Sequence, residues 1–230
     1  MNTFKIKDGV LTSATIADHR VVLPNTISIV DAALTGNAEI RELILPQSVK
    51  ILRPCCFRNC KGLRSVNLQH VQMIGAGAFD GCTHLHDITW PDNLYVLNAG
   101  AFYRCTSLRH ARISGELNSI GALAFGNCDS LEFVEMSNSI RIIETGAFWD
   151  ATHLTQIRLS DKLVTIADKA FLHCGALSQL ELPATLRIIG DMAFKRCYGL
   201  RTTIHAGVKS IGNEAFACNT TGLITKEGKL

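Results

Sequence analysis

Three residues of the types that form hydrolase triads recur along the chain at near-equal spacing. Ser65, Asp87 and His110 are separated by 22 and 23 residues. A hydroxyl nucleophile, an imidazole base and an orienting carboxylate are the parts of a serine hydrolase. If the three stand side by side on neighbouring strands, Asp87 lies in the middle, whereas a nucleophile must touch the imidazole directly. We therefore predict no catalytic residue, and a hydrolase is the weakest alternative.

Nine cysteines form the second group with chemical potential. Six recur at intervals of 22, 23 or 46 residues, which predicts a column of thiols on successive structural units: Cys60, Cys82, Cys105, Cys128, Cys174 and Cys197. Neighbouring strands lie about 4.8 Å apart and disulfides span Cα separations of about 4.4 to 6.8 Å, so distance alone leaves bridges open. Asn37 and Ala151 interrupt the column, however, and side chains in one column point the same way. Buried free thiols are the preferred interpretation.

Two short cysteine and histidine clusters could suggest a metal. One is C-T-H-L-H at residues 82–86 and the other is C-C-x-x-x-C at residues 55–60. Both lack the paired spacing of zinc sites. We predict neither a metal nor a cofactor.

The elements that position these residues follow from the phenylalanines. Eight of the ten recur at intervals of 22 or 23 residues: Phe57, Phe79, Phe102, Phe125, Phe148, Phe171, Phe194 and Phe216. Another 23 residues before Phe57, Leu34 occupies the matching context, so the chain contains nine units. A period near 23 is typical of a solenoid, whose units bury their apolar faces only against their neighbours.

Each unit has the same internal pattern. An aliphatic residue precedes the Phe position by five residues, and a Leu-x-x-aliphatic-x-Leu run begins six residues after it in most units. The alternation in that run predicts a short strand. Asp31, Asp168 and Asp191 lie three residues before the Phe position, where they suit helix N-caps. The sequence thus predicts a strand, a turn, a short helix and a turn in every unit.

Units such as IGAGAFDGCTHLHDITWPDNL at 74–94 resemble the BspA-type leucine-rich repeats. The resemblance covers residues 24–219; residues 1–23 are interpreted as an N-terminal cap and 220–230 as a C-terminal tail. It implies an α/β fold, a right-handed leucine-rich-repeat solenoid with a parallel β-sheet on the concave face and short helices on the convex face. Family members include bacterial and protist surface proteins that bind other proteins, so the resemblance implies a binding role.

Projection of the repeat onto the strands predicts a partner-binding surface on the concave face. Eight residues after the Phe position, Phe133 points outward beside His110. Ten residues after it, the charges alternate in sign through Arg112, Glu135 and Arg158. Aromatic and Arg clusters are typical of interface hot spots, whereas alternating charges alone are also typical of a solvated ion ladder.

A third outward row, seven residues after the Phe position, is basic in its first half: Arg41, Arg64, His86 and Arg109. Such a row could steer an acidic partner or an anionic glycan, although Arg at a strand edge is more often simply solvated. The predicted partner site is Phe133, Arg112, Glu135, Arg158, His110 and Arg109.

Composition narrows the class of partner. The chain has 230 residues, a net charge of +3 and 47% hydrophobic residues. We expect a folded protein that binds neither nucleic acid nor the membrane interior. The first residues lack the apolar core of a signal peptide, which predicts a cytoplasmic protein, or a cell-surface or secreted one if the chain is a fragment.

The predicted function is a non-catalytic protein-interaction module, with an adhesin that binds host protein or glycan as the alternative. Association into homo-oligomers through poorly capped solenoid ends is a further expectation.

Overall fold

The computed structural model describes residues 2–220 and the backbone of residues 224–226. Two strands open the chain as an antiparallel hairpin, β1 (Thr3–Lys7) and β2 (Val10–Thr15). A helical turn, the 3-10 helix η1 (Ala32–Leu34), follows in the first unit. The predicted tail at 220–230 lies outside the described residues, apart from Thr220 and that three-residue backbone segment.

The main ladder consists of the strands that carry the predicted outward rows. Its members are β3 (Arg20–Val22), β5 (Glu42–Ile44), β7 (Ser65–Asn67), β9 (Asp87–Thr89), β11 (His110–Ile113), β13 (Phe133–Met136), β15 (Gln156–Arg158), β18 (Thr202–Ile204) and β20 (Ile224–Lys226). They pair in parallel as three sheets, β3-β5-β7-β9, β11-β13-β15 and β18-β20. Since neighbouring strands pair 22 or 23 residues apart, each outward row of the sequence becomes a physical row across a sheet.

A second ladder runs through the aliphatic positions five residues before the Phe. It contains nine two-residue strands: β4 (Ile29–Val30), β6 (Ile51–Leu52), β8 (Met73–Ile74), β10 (Val96–Leu97), β12 (Ser119–Ile120), β14 (Ile142–Ile143), β16 (Thr165–Ile166), β17 (Ile188–Ile189) and β19 (Ser210–Ile211). These strands form the sheets β1-β2-β4-β6-β8-β10 and β12-β14-β16-β17-β19. The repeat pattern of the sequence predicts only one strand in each unit, so the second ladder is an addition to it.

The described residues contain no α-helix, so the predicted short helices on the convex face are wrong. Residues two before and two after the Phe position have positive φ, for example Leu123 at 56° and Asn127 at 54° on either side of Phe125. A left-handed residue interrupts the run of right-handed conformations that a helix requires. The N–H groups of Leu123, Phe125 and Asn127 instead donate to the next unit, over 3.0, 2.8 and 2.7 Å, to the carbonyls of Thr145, Ala147 and Trp149.

Two of the three predicted N-caps bind the next unit instead of capping a helix. Asp31 does cap η1, accepting from Ala32 N–H at 2.9 Å. Asp168 and Asp191, however, accept from the backbone N–H groups of Asp191 and Asn213 in the following unit, at 2.8 and 2.7 Å. These carboxylates therefore join successive units by satisfying backbone donors that would otherwise lack a partner.

The eight repeat phenylalanines form one continuous stack between the ladders. Ring centroids of successive members lie 5.1 to 5.5 Å apart. The first seven rings are fully buried, and Phe216 at the end is partly buried. This phenylalanine spine confirms that each unit completes its core only against its neighbours.

Candidate functional site

The three-stranded sheet β11-β13-β15 brings the predicted partner residues together. His110 pairs with Phe133 and Phe133 with Gln156 in one outward row. In the next row Arg112 pairs with Glu135, which pairs with Arg158. We call this surface, with Arg109 at its edge, the Phe133 face.

Charges on the Phe133 face form two sets of ion pairs. Glu135 lies between two guanidinium groups, at 3.6 Å from Arg112 and 3.6 Å from Arg158. Arg109 lies 3.7 Å from Glu132. The ion ladder predicted from the alternating row is therefore present, and such exposed pairs each contribute about 0.2 to 1 kcal/mol.

Phe133 is partly exposed in the centre of this arrangement. Its strand neighbours Val134 and Met136 point inward and are buried. Because alternate residues of a strand face opposite sides, the ring of Phe133 lies outside the core. It covers the sheet surface rather than filling the interior.

A groove of about 610 Å³ adjoins the Phe133 face. β15 is the last strand of its sheet, and the equivalent segment of the next unit makes only one isolated bridge, between Gln179 and Arg201. The groove is lined by side chains from both segments, among them Gln156, Arg158, Gln179 and Glu181. The surface around Phe133 is thus concave on one side and polar at its rim.

The residues that resemble a hydrolase triad do not form one. Ser65 and Asp87 face each other across β7 and β9, while His110 belongs to a separate sheet. Within the described residues, no hydrogen bond joins any two of these side chains. The described residues also contain no group of three or more His, Cys, Asp or Glu side chains placed to hold a metal ion.

The thiol column lies inside the solenoid, beside the phenylalanine spine. Each of the six thiols donates to the carbonyl of the Phe position in the preceding unit, with sulfur–oxygen distances of 3.0 to 3.3 Å. Burial raises the pKa of Cys128 and of Cys197 to about 12. Because the thiolate is the reactive form, these cysteines are poor nucleophiles.

One charged cluster was not anticipated from the sequence. Asp80, which is 7% exposed, binds Arg58 at 2.9 Å and Arg104 at 2.8 Å from the turns of the adjacent units. The hydrogen bond that Arg104 donates to the Asp80 carboxylate raises the pKa of Arg104. The sequence contains a signal for this cluster, because the three residues lie one or two residues after the Phe position of adjacent units. The cluster is fully paired and joins units two to four.

Comparisons with known proteins agree with this geometry. The model of the BspA type leucine rich repeat region matches residues 27–155 and 142–227, with six copies. The crystal structure of the T. pallidum leucine-rich repeat protein TpLRR is 32% identical, with a TM-score of 0.66, over 86% of this chain and 87% of that one. A search of curated proteins gave no match.

Two further crystal structures share the fold at lower identity. A leucine-rich cell surface protein from Faecalibacterium prausnitzii is 18% identical, with a TM-score of 0.51, over 99% of this chain and 93% of that chain. A leucine-rich repeat protein from Eubacterium ventriosum is 22% identical, with a TM-score of 0.58, over 82% of this chain and 46% of that chain. No helix in the described part has the length and apolar character needed to cross a membrane. The repeat model and the T. pallidum protein together establish that the chain belongs to the BspA-type leucine-rich repeat family.

Proposed function

We propose that the protein is a non-catalytic module that binds a protein partner on the Phe133 face. The observation that supports this proposal most directly is the position of Phe133. Its large apolar side chain lies on the outward side of β13, with Val134 and Met136 in the core behind it. Nothing in the repeat requires an aromatic residue there, since the same row holds Glu42, Ser65, Asp87, His110, Gln156 and Gln179 in other units.

The surroundings of Phe133 have the composition of a protein interface. A partly exposed aromatic ring lies next to Arg112 and Arg158, and Arg and aromatic side chains dominate interface hot spots. The adjoining groove of about 610 Å³ supplies a concave surface for a protruding partner segment. The polar residues around it match the rim of a typical interface.

The experiment has two stages. Affinity capture from source lysate with mass-spectrometric identification supplies a partner, and calorimetric titration of that partner then compares wild type with Phe133→Ala. Burial of the ring would contribute roughly 1.5 to 3 kcal/mol, so we expect affinity to fall about tenfold or more.

A matched change in the same row is the control. Ser65→Ala changes a side chain of the same row on a separate sheet, outside the groove, and we expect it to change affinity less than threefold. Unchanged affinity for Phe133→Ala, combined with a loss for Lys169→Ala or Lys195→Ala on the turn side, would place the contact surface on the opposite face.

A surface adhesin that binds host protein or glycan is the alternative form of the same role. An adhesin would use the same outward face. It differs from the first proposal in that the protein would act at the cell surface. An export signal or anchor in the full-length gene would favour it.

A further inference from the structure

A second concave site lies at the edge of the main ladder, away from the Phe133 face. The pocket has a volume of about 240 Å³ and is formed by the turns of three successive units that lead into β5, β7 and β9. Its lining consists of Ala38, Arg41, Lys61, Gly62, Arg64 and His84. None of these residues belongs to β11, β13 or β15.

The cations of this pocket are not neutralised by the protein. Within residues 2–220, no carboxylate oxygen lies within 4.0 Å of a charged nitrogen of Arg41, Lys61 or Arg64. Arg58 and Arg104, by contrast, both bind Asp80. Three cationic side chains that converge without a counter-charge repel one another and attract an anion.

One guanidinium of the pocket is held in place before any ligand binds. Arg41 Nη1 donates to the carbonyl of Ala38 at 2.6 Å. It lies directly against Gly62, where an added Cβ would come within 1.7 Å of Nη1 and 2.3 Å of the Ala38 oxygen. The absence of a side chain at residue 62 therefore gives the guanidinium its position, and such preorganisation lowers the entropic cost of binding.

His84 adds a fourth polar group with a defined orientation. Its Nδ1 lies 2.7 Å from the carbonyl oxygen of Lys61. A carbonyl can only accept, so Nδ1 carries the proton. This contact leaves Nε2, which is an acceptor in the neutral ring, to accept a hydrogen bond from a hydroxyl of the ligand.

We propose that this pocket binds a sulfate group of an acidic glycan. Guanidinium groups form strong, oriented hydrogen bonds with the oxygens of tetrahedral anions, and a pocket of about 240 Å³ accommodates a group of that size. The proposal is independent of the Phe133 face.

The neighbouring sheet surface favours a sugar over a chain of phosphates. A shallow cavity of about 150 Å³ on β5, β7 and β9 is lined in part by Glu42, Ser65, Asp87 and Thr89. Sugar hydroxyls both donate and accept, so they match hydroxyl and carboxylate side chains. Glu42 is paired with Arg20 at 3.1 Å, but Asp87 forms no ion pair among the described residues, and its carboxylate would repel a ligand that carries a negative charge at every residue.

Calorimetric titration at low ionic strength tests the proposal, because screening weakens exposed charge interactions. The probes are a short sulfated dextran with a single sulfate per molecule, unsulfated dextran of equal length and a phosphoserine peptide. We expect saturable binding of the sulfated dextran, with at least about tenfold weaker binding of the other two. Tighter binding of the phosphopeptide would assign the pocket to a phosphorylated protein instead, and no saturable binding of the sulfated dextran would overturn the proposal.

Two pairs of variants separate a built pocket from diffuse positive charge. The double variant Arg41→Ala and Arg64→Ala should lower the affinity for sulfated dextran at least tenfold. Lys162 and Lys209 are exposed outside the pocket, and the double variant Lys162→Ala and Lys209→Ala removes the same charge. It should change the affinity less than twofold. Equal losses from the two double variants would contradict the proposal.

Gly62→Ala leaves the net charge unchanged and displaces Arg41, so it should also weaken binding. Gly207→Ala is its control, because Gly207 lies against an Arg side chain in the same way but outside the pocket. A Cβ there would lie 2.8 Å from Arg187 Nη1 and 3.5 Å from the Ala184 oxygen. We expect Gly207→Ala to bind like wild type. Full affinity in a folded Gly62→Ala variant would show that the position of Arg41 is irrelevant.

Discussion

Phe125 and Phe133 lie eight residues apart in the same unit and have opposite surroundings. The ring of Phe125 is fully buried between those of Phe102 and Phe148, with centroid distances of 5.4 and 5.5 Å. Phe133 lies partly exposed on the outward side of β13. Position in the repeat, rather than residue type, therefore decides whether an aromatic side chain stabilises the fold or is free for recognition.

The largest expected effect is on the buried side of this comparison. Phe125→Ala leaves a cavity in the centre of the spine and should lower the free energy of unfolding by about 3 to 5 kcal/mol. Urea unfolding followed by circular dichroism measures the loss. Phe216→Ala is the matched control, because its ring is stacked on only one repeat phenylalanine, Phe194. Equal losses at the centre and the end would contradict a solenoid in which neighbours stabilise one another.

A smaller effect concerns the thiols beside the spine. The folded-state pKa of Cys128 is raised from 9.0 to about 12, so the unfolded chain loses this proton first as pH rises. The stability that the protonated thiol contributes is complete below pH 9 and is lost between pH 9 and about 12. Between pH 7 and pH 10 wild type should therefore lose about 1.4 kcal/mol more than Cys128→Ala.

Urea unfolding at the two pH values measures this difference. Alanine already occupies the same column position at Ala151, where it is buried, so the variant should fold. A deficit of Cys128→Ala that is the same at pH 7 and pH 10 would mean that the thiol titrates normally and is not shielded.

The smallest effect belongs to the outward side. Glu135→Gln removes the charge that pairs with Arg112 and Arg158, whose side chains are 74% and 75% exposed. We expect a loss of about 0.2 to 1 kcal/mol that disappears in about 1 M salt, where the Debye length is about 3 Å. A larger, salt-independent loss of unfolding free energy would show that the ion ladder, like the phenylalanine spine, is needed to stabilise the fold.

Much of this architecture follows from the sequence because the repeat occurs nine times, so that one misassigned residue cannot shift its period. That period fixes the buried spine, the thiol column, the strand register and the placement of Phe133 beside His110. The partner role of the Phe133 face stays a prediction, since the positions of its side chains define a surface and not the molecule that binds it.

The turns were mispredicted because their residues suit two structures. Asp168 and Asp191 are good N-caps, but in the solenoid their carboxylates bind the next unit. A signal for the correct structure was present at the positive-φ positions, where Gly77, Gly100 and Asn59 are residue types that tolerate left-handed backbone. The pocket at Arg41 was missed in part because Lys61 and His84 come from turns rather than from the projected strand rows.

The most direct test of the division between spine and outward face is the free energy of unfolding of Phe133→Ala, measured by urea titration beside Phe125→Ala. If Phe133 is free of the packing that holds the solenoid, its removal should cost less than about 1 kcal/mol, the scale of a cross-strand contact. Phe125→Ala should cost about 3 to 5 kcal/mol. A loss for Phe133→Ala as large as that for Phe125→Ala would contradict the account, because the ring would then be part of the core.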